Sequence, residues 1–147
     1  MTQEAIDLDT SLGYLLKEAA SALRAAMEDV LRPLEMTITH YSCLELLAQR
    51  PGLSNSELAR GAFVTRQSMN VLLQTLERDG FVTRASEPSV GKALPTQLTD
   101  SGRRSLAQAS AAIRGVEQRM LADLTADQQT EARRILRSMV TSLGSQA

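Results

Sequence analysis

The sequence has little of what most catalytic, metal-binding and secreted proteins depend on. Its 147 residues include one cysteine, one histidine and no tryptophan, and aromatic residues make up only 3%. The single cysteine, Cys43, excludes an internal disulfide and a multi-cysteine zinc site. A glycine-rich phosphate loop and metal-ligand spacing are also lacking, so we expect neither an enzyme nor a cofactor. The scarcity of aromatics argues against a stacking platform for single-stranded nucleic acid.

Segments that would direct the chain to a membrane are lacking as well. The N-terminal run MTQEAIDLDT is acidic and polar, unlike a signal peptide. No apolar run approaches the roughly 20 residues of a membrane helix. We therefore expect a cytoplasmic protein with no membrane partner. The net charge of −1 excludes a chain coated in positive charge, so any contact with nucleic acid must be local.

What the sequence does contain is helical patterning in a chain of single-domain length. The hydrophobic fraction is 43%, which is ordinary for a globular protein. Apolar residues spaced by three and four from Leu8 to Leu34 predict one long helix, which Pro33 ends. Thr37 is a suitable N-cap for a second, shorter helix that stops before Pro51.

The centre of the chain predicts two helices joined by a short turn. Ser54 and Glu57 have the spacing of a capping box, so a brief helix should begin at Ser54 and end near Gly61. Thr65 can cap a following helix, and Gly80 ends it. Because three residues separate the two helices, this region is a candidate helix-turn-helix.

A short hairpin is predicted directly behind the second of these helices. FVTR (81–84) is typical of a strand, ASEPSVGKA (85–93) of a loop, and LPTQL (94–98) of a returning strand, in which Pro95 suits only an edge. A hairpin in this position is a wing. The predicted fold class is therefore mostly α, a winged helix-turn-helix of six helices with a two- to three-stranded β-wing.

Apolar stripes at both ends of the chain predict a dimer. A long helix carries Leu106, Ala109 and Ile113 at helical spacing, and Thr125 with Gln128 forms a capping box for a last apolar helix. These terminal helices are longer than one small core needs. We therefore expect a single domain over 1–147, with dimerisation helices in 1–36 and 99–147 around a winged helix-turn-helix in 37–98.

The run from Thr37 to Gly102 resembles the MarR family of bacterial transcription regulators. The likeness rests on SELA before the turn, TRQSMN opening the next helix, LERDGFV leading into the wing, and Leu98-Thr99-x-x-Gly102 after it. The resemblance implies an obligate homodimer on a palindromic operator in double-stranded DNA, with a recognition helix in each major groove. It also implies a repressor released by a small aromatic or phenolic ligand, or control by oxidation.

The wing departs from the pattern of the family. Where the family usually carries Asp-x-Arg, this chain has Val90-Gly91-Lys92. Arginine enters a narrow A·T-rich minor groove better than lysine, because its guanidinium is less strongly hydrated. We therefore expect Lys92 to act mainly on phosphate.

Polar side chains on and around the helix from Thr65 are the predicted DNA contacts. Arginine suits guanine O6 and N7, whereas asparagine and glutamine suit adenine N6 and N7. Alternatives are a solvated helix face, a solvated hairpin, capping alone for Ser54, or a winged module that binds protein through the same face. The predicted DNA-binding residues are Ser54, Asn55, Ser56, Thr65, Arg66, Gln67, Ser68, Asn70, Gln74, Arg84 and Lys92.

The resemblance further implies an effector pocket between the dimerisation and DNA-binding regions. Arg24 and His40 could hold a phenol or carboxylate against the rings of Tyr14 and Tyr41. The alternative for each of these residues is a packing or surface role. Cys43 is most simply a small buried hydrophobe, and the first helix has no cysteine of the kind that redox-sensing relatives usually carry there.

Overall fold

The structure is a computed structural model that describes residues 4–84 and 96–144. Within these residues a short 3-10 turn at Arg32–Leu34 joins the first two helices, and no helix is long and apolar enough to cross a membrane. Six helices and one antiparallel pair of strands confirm the predicted fold class. The elements are α1 (Leu12–Leu31), α2 (Ile38–Gln49), α3 (Asn55–Gly61), α4 (Arg66–Arg78), β1 (Val82–Arg84), β2 (Thr96–Leu98), α5 (Asp100–Met120) and α6 (Ala126–Gly144).

The predicted capping residues begin the central helices. Thr37 and Thr65 each accept a hydrogen bond from the backbone N–H three residues ahead, at 3.1 and 3.0 Å. Ser54 and Glu57 form both bonds of the capping box, at 3.2 and 2.9 Å. These bonds satisfy N–H groups that a helix leaves without a partner at its start. The boundaries of α2, α3 and α4 therefore follow from local chemistry.

The first helix is shorter than the apolar spacing predicts. It begins at Leu12, because the hydroxyl of Ser11 caps it by accepting a hydrogen bond from the backbone N–H of Tyr14 at 3.2 Å. Leu8 lies in the preceding turn, where the N–H of Ser11 donates to the carbonyl of Asp7 at 2.8 Å. Apolar spacing alone carries no start signal, whereas serine is a preferred N-cap.

The hydrophobic core lies between α2, α3, α4, the hairpin and α5. Burying one such side chain contributes roughly 1.5–3 kcal/mol, so this cluster fixes how the central helices sit against one another. It also holds one side of α4 inward and leaves the other side to solvent. The largest fully buried side chains are Leu31, Leu44, Leu58, Met69, Leu73, Leu76, Val82 and Cys43.

The terminal helices expose apolar surface that the core does not cover. Among the described residues of α6 none is buried, and Val140 and Leu143 are 70% and 80% exposed. Leu12 and Leu16 on α1 are also exposed. Large exposed apolar patches mark interaction surfaces in soluble proteins. These faces are where a second copy of the chain would pack.

Phe63, in the turn between α3 and α4, has an unusual backbone conformation. Its φ is 60°, which is left-handed, and its side chain is 94% exposed. For a residue with a side chain this conformation costs roughly 1–2 kcal/mol. The packing of α3 against α4 must offset that cost, since the ring itself buries almost no surface.

The hairpin and α5 meet in a very close contact between Gly102 and the carbonyl oxygen of Phe81. A Cβ on Gly102 would lie 2.1 Å from that oxygen. Thr99 caps α5 by accepting from the Gly102 N–H at 3.0 Å, and its own hydroxyl donates to the Gly80 carbonyl at 2.6 Å. Its backbone N–H donates to the Phe81 carbonyl at 3.1 Å. Thr99 and Gly102 therefore join the end of α4, the start of the hairpin and the start of α5.

Gly102→Ala should lower the free energy of unfolding by about 3 kcal/mol, because the neighbouring atom is backbone and cannot move aside. Urea denaturation of the purified protein measures this change. Gly115→Ala is the matched control on the same helix, since no described atom lies within 4 Å of the added Cβ. It should be neutral or stabilise by up to about 1 kcal/mol. Equal effects of the two substitutions would contradict the close contact.

Candidate nucleic-acid interface

The helix α4 presents its polar side chains on one outward face. Arg66, Asn70 and Gln74 follow one another at intervals of four residues, and Gln67 lies seven residues before Gln74, so all four share a side. Arg66, Gln67 and Gln74 are exposed, and Asn70 is half-buried. The buried residues Met69, Leu73 and Leu76 lie on the adjoining side of the helix, which packs inward.

Thr65 and Ser68 occupy the N-terminal end of α4, and both are exposed. The Thr65 hydroxyl accepts from the Ser68 N–H at 3.0 Å and donates to the Ser68 hydroxyl oxygen at 2.9 Å. Helix N-termini carry partial positive charge and N–H groups without helical partners. This end of α4 can therefore approach a phosphate group.

The start of α3 lies against the outward face of α4. Asn55 Nδ2 donates to Asn70 Oδ1 at 2.6 Å, and Arg66 Nη1 donates to Ser56 Oγ at 3.4 Å. Ser54 uses its hydroxyl in the capping box. The structure thus brings together residues from α3 and α4 that the sequence predicts separately. Sequence reasoning misses the Asn55–Asn70 bond, because spacing gives no signal for contacts between helices.

Arg84, a predicted DNA contact, is less exposed than such a contact requires. Its side chain is only partly exposed, and its Nε and Nη2 atoms are buried with no hydrogen-bond partner in the described part of the chain. Strand side chains alternate, so Arg84 shares the inward face of Val82, whereas Thr83 is exposed. This geometry does not support a phosphate contact. Lys92 and Pro95 lie outside the described residues.

Cys43 is completely buried on α2, as its reading as a small hydrophobe predicts. Burial raises the pKa of the Cys43 thiol to about 12, although the positive charge of Arg84 acts in the opposite direction. Reactive cysteines instead have lowered pKa values and solvent access. The environment of Cys43 therefore does not favour a redox role.

His40 packs against Phe81 at the base of the hairpin. The ring centroids are 5.5 Å apart, and the rings are tilted by 57°. The Nε2 atom of His40 is buried and, within residues 4–84 and 96–144, has no hydrogen-bond partner. Burial lowers the pKa of His40 below its ordinary value of 6.5, partly opposed by the negative charge of Asp79. His40 and Cys43 lie one turn apart on α2, so they share its side.

The two effector candidates on α1 lie at the surface. Tyr14 is 45% exposed. Arg24 pairs with Glu28 at 3.2 Å and lines an open recess of about 460 Å³ together with Thr37 and Thr39. The residues lining this recess do not include His40, whose ring contacts the hairpin instead. Within one chain, the structure therefore does not join Arg24 and His40 in this recess.

The remaining candidate, Tyr41, is engaged in a network inside the fold. Its hydroxyl donates to Glu45 Oε2 at 2.6 Å, and the hydroxyl of Ser110 donates to the same oxygen at 3.0 Å. Burial, with the adjacent Glu45 carboxylate, raises the pKa of Tyr41 well above its usual range. This network ties α2 to α5. A structural role explains Tyr41 without an effector.

Most of the chain is similar to known transcription regulators. A family model described as MarR family matches residues 34–93. The HTH-type transcriptional repressor Rv2887 of Mycobacterium tuberculosis is 44% identical over 131 residues, which cover 89% of this chain and 94% of that protein. The chain belongs to the MarR family. The resemblance stated from the sequence is thereby confirmed.

Solved structures of this MarR-family relative share the fold. The Rv2887 complex with salicylic acid has a TM-score of 0.73 at 44% identity, covering 89% of this chain and 97% of that one. The Rv2887 complex with DNA has a TM-score of 0.72 at 41% identity, covering 89% and 98%. Each alignment therefore spans nearly all of the relative and most of this chain.

His40 should make the stability of the protein depend on pH. Because its pKa is lowered on folding, the unfolded chain binds a proton where the folded protein does not. The stability is therefore fully present above about pH 6.5 and falls as the pH drops below that value. We expect the urea-derived free energy of unfolding to decrease from pH 7 to pH 5. His40→Phe, which keeps an aromatic ring against Phe81, should flatten this decrease; an unchanged slope would contradict the assignment.

Proposed function

We propose that this protein is a homodimeric transcriptional repressor that binds a near-palindromic operator through α4 and releases it when a small aromatic acid binds. One observation carries the proposal. Helix α4 combines a buried apolar side with an outward polar face, and it follows the short turn after α3 and precedes the hairpin. Its relative at 44% identity is a repressor, solved in complex with DNA. Helices presented in this way enter the major groove.

The exposed apolar faces of α1 and α6 support the dimer. A two-fold dimer would bury these faces and present two copies of α4 to one side of the DNA. We assign the dimerisation helices to residues 1–36 and 99–147, and the reading of the operator to residues 37–98. Half-sites should then lie about one helical turn apart, on the order of 10 base pairs centre to centre.

The outward face of α4 supplies the base contacts, and the helix N-termini supply phosphate contacts. Exposed arginine and glutamine side chains can reach base edges, whereas hydroxyls beside a helix N-terminus suit phosphate oxygens. Lys92 stays a proposed phosphate contact. The proposed base-reading residues are Arg66, Gln67, Asn70 and Gln74, and the proposed phosphate-contacting residues are Ser54, Ser56, Thr65 and Ser68.

Arg66→Ala should weaken binding to the selected operator by roughly 1–3 kcal/mol and relax the preference at one base position. The operator is obtained by selecting duplexes from a random library with the wild-type protein, and affinity is measured by gel shift across a salt series. Arg78→Ala is the matched control, because it removes the same charge from the C-terminal end of α4. A protein-binding module would select no preferred sequence, and uniform weakening by Arg66→Ala would assign Arg66 to phosphate.

The proposed effector site lies between α2 and the base of the hairpin. His40 and Arg84 each have buried nitrogens that lack partners in the described ranges. The Phe81 ring packs against His40, and Arg84 lies close enough to Cys43, one turn along α2 from His40, for its charge to act on the pKa of the thiol. Buried guanidinium nitrogens without partners are costly, and a carboxylate supplies the bonds they lack. Rv2887 has been solved with salicylic acid and with p-aminosalicylic acid, which are small aromatic acids. Arg24 and Tyr14 are the competing candidates.

Salicylate should release the wild-type protein from its operator, and Arg84→Met should raise the salicylate concentration required by about tenfold or more. Methionine keeps an apolar stem of similar length but cannot pair with a carboxylate. The measurement is fluorescence anisotropy of the labelled operator during a salicylate titration. Arg24→Ala is the control and should leave the response unchanged. If Arg24→Ala weakens the response to salicylate and Arg84→Met leaves it unchanged, the carboxylate binds on α1 and Arg84 is not part of the site.

A further inference from the structure

We propose that Asn55 determines which bases Asn70 accepts, by fixing the direction in which the Asn70 amide faces. The inference rests on the proposed function, because it concerns the base contacts of α4. Asn55 is the first residue of α3, and Asn70 lies on the second turn of α4. Both are half-buried, and Asn55 Nδ2 donates to Asn70 Oδ1 at 2.6 Å.

This bond is shorter and better shielded than a second polar link that the structure shows between α3 and the outward face of α4. Arg66 Nη1 lies 3.4 Å from Ser56 Oγ, and that contact is exposed. Water competes with exposed hydrogen bonds, whereas partial burial strengthens a bond and makes its loss more costly. Asn70 is therefore held in one orientation, while Arg66 is free to adjust to a base.

The orientation of the amide decides what Asn70 can recognise. An asparagine amide has an acceptor oxygen at one end and two N–H donors at the other. With Oδ1 held by Asn55, Asn70 presents Nδ2 to the groove. Bidentate reading of adenine needs both ends, the oxygen accepting from N6 and the nitrogen donating to N7. Asn70 instead suits guanine, whose O6 and N7 both accept, or thymine through O4. Adenine also offers N7 as an acceptor, but an outward Nδ2 leaves the neighbouring N6–H donor of adenine without a partner.

The preference for guanine or thymine corrects the expectation of adenine that residue type alone suggests for Asn70. It also makes Asn55 a positioning residue, because Asn55 acts on the base through Asn70. Reversing the bond should therefore reverse the preference without moving the helix. Adenine N6 and cytosine N4 are the donors exposed in the major groove, so they become the favoured partners when an oxygen faces the DNA.

Two isosteric substitutions turn an acceptor toward the DNA by different routes. In Asn55→Asp the carboxylate cannot donate, so Asn70 must turn and donate Nδ2 to it. In Asn70→Asp the bond from Asn55 is kept, but the outward atom becomes a carboxylate oxygen. The position read by Asn70 is first located as the one where Asn70→Ala removes discrimination. Relative affinities for all four bases at that position are then measured by gel shift on operator duplexes selected with the wild-type protein.

We expect the wild-type protein to prefer guanine or thymine over adenine and cytosine by about fivefold, and both aspartate variants to reverse that order. Added negative charge weakens binding to all four duplexes alike, so it cancels in the ratios. Asn55→Ala, which removes the donor without supplying an acceptor, should reduce discrimination without reversing it. Aspartate at the start of a helix is favourable, so Asn55→Asp should remain folded.

The results separate failure of this inference from failure of the proposed function. If the wild-type protein prefers adenine, or if Asn55→Asp and Asn70→Asp keep the wild-type order, the assignment to Asn55 is overturned while sequence-specific binding stands. If the wild-type protein selects no preferred duplex from the library, the proposed function fails and this inference fails with it.

Discussion

The close approach of Gly102 to the Phe81 carbonyl is the constraint on which the rest of the structure depends. Because position 102 has no side chain, α5 can begin directly against the backbone that links α4 to the hairpin. Thr99 then bonds to both sides of this junction. The end of α4, the proposed recognition helix, and the start of α5, a proposed dimerisation helix, are therefore fixed to each other at this junction. This junction explains the Leu-Thr-x-x-Gly pattern of the sequence: Thr99 makes its hydrogen bonds, and Gly102 leaves room for the Phe81 carbonyl.

That junction also places the proposed effector site where it can influence DNA binding. Phe81 contributes its carbonyl to the Gly102 contact and its ring to His40. A ligand between α2 and the hairpin would therefore contact Phe81, which lies three residues after the end of α4 at Arg78. Since packed elements shift as rigid bodies, a small displacement at this point changes the spacing between the two recognition helices of a dimer.

Local chemistry explains which parts of the fold could be predicted. The capping residues Thr37, Ser54 and Thr65 are satisfied by N–H groups three residues away, so the sequence contains the whole interaction. Apolar spacing predicts Leu8 within the first helix, because the spacing continues past the cap at Ser11. The burial of Arg84 could not be predicted, because the face of a strand is defined only once its partner strand and the core are known. The Asn55–Asn70 bond depends on the rotation of two helices, which packing of their buried sides decides.

Because the apolar face of α6 is exposed, the folding of this protein depends on its concentration. A helix that buries none of its described residues in its own chain gains most of its stability from a partner. Folding and association then become one equilibrium, and the thermal midpoint rises with protein concentration. When a cell lowers the level of such a repressor, the number of copies decreases, and the folded fraction of the remaining copies decreases as well. Degradation of the unfolded monomer would make the amount of folded repressor fall still more steeply with its total level.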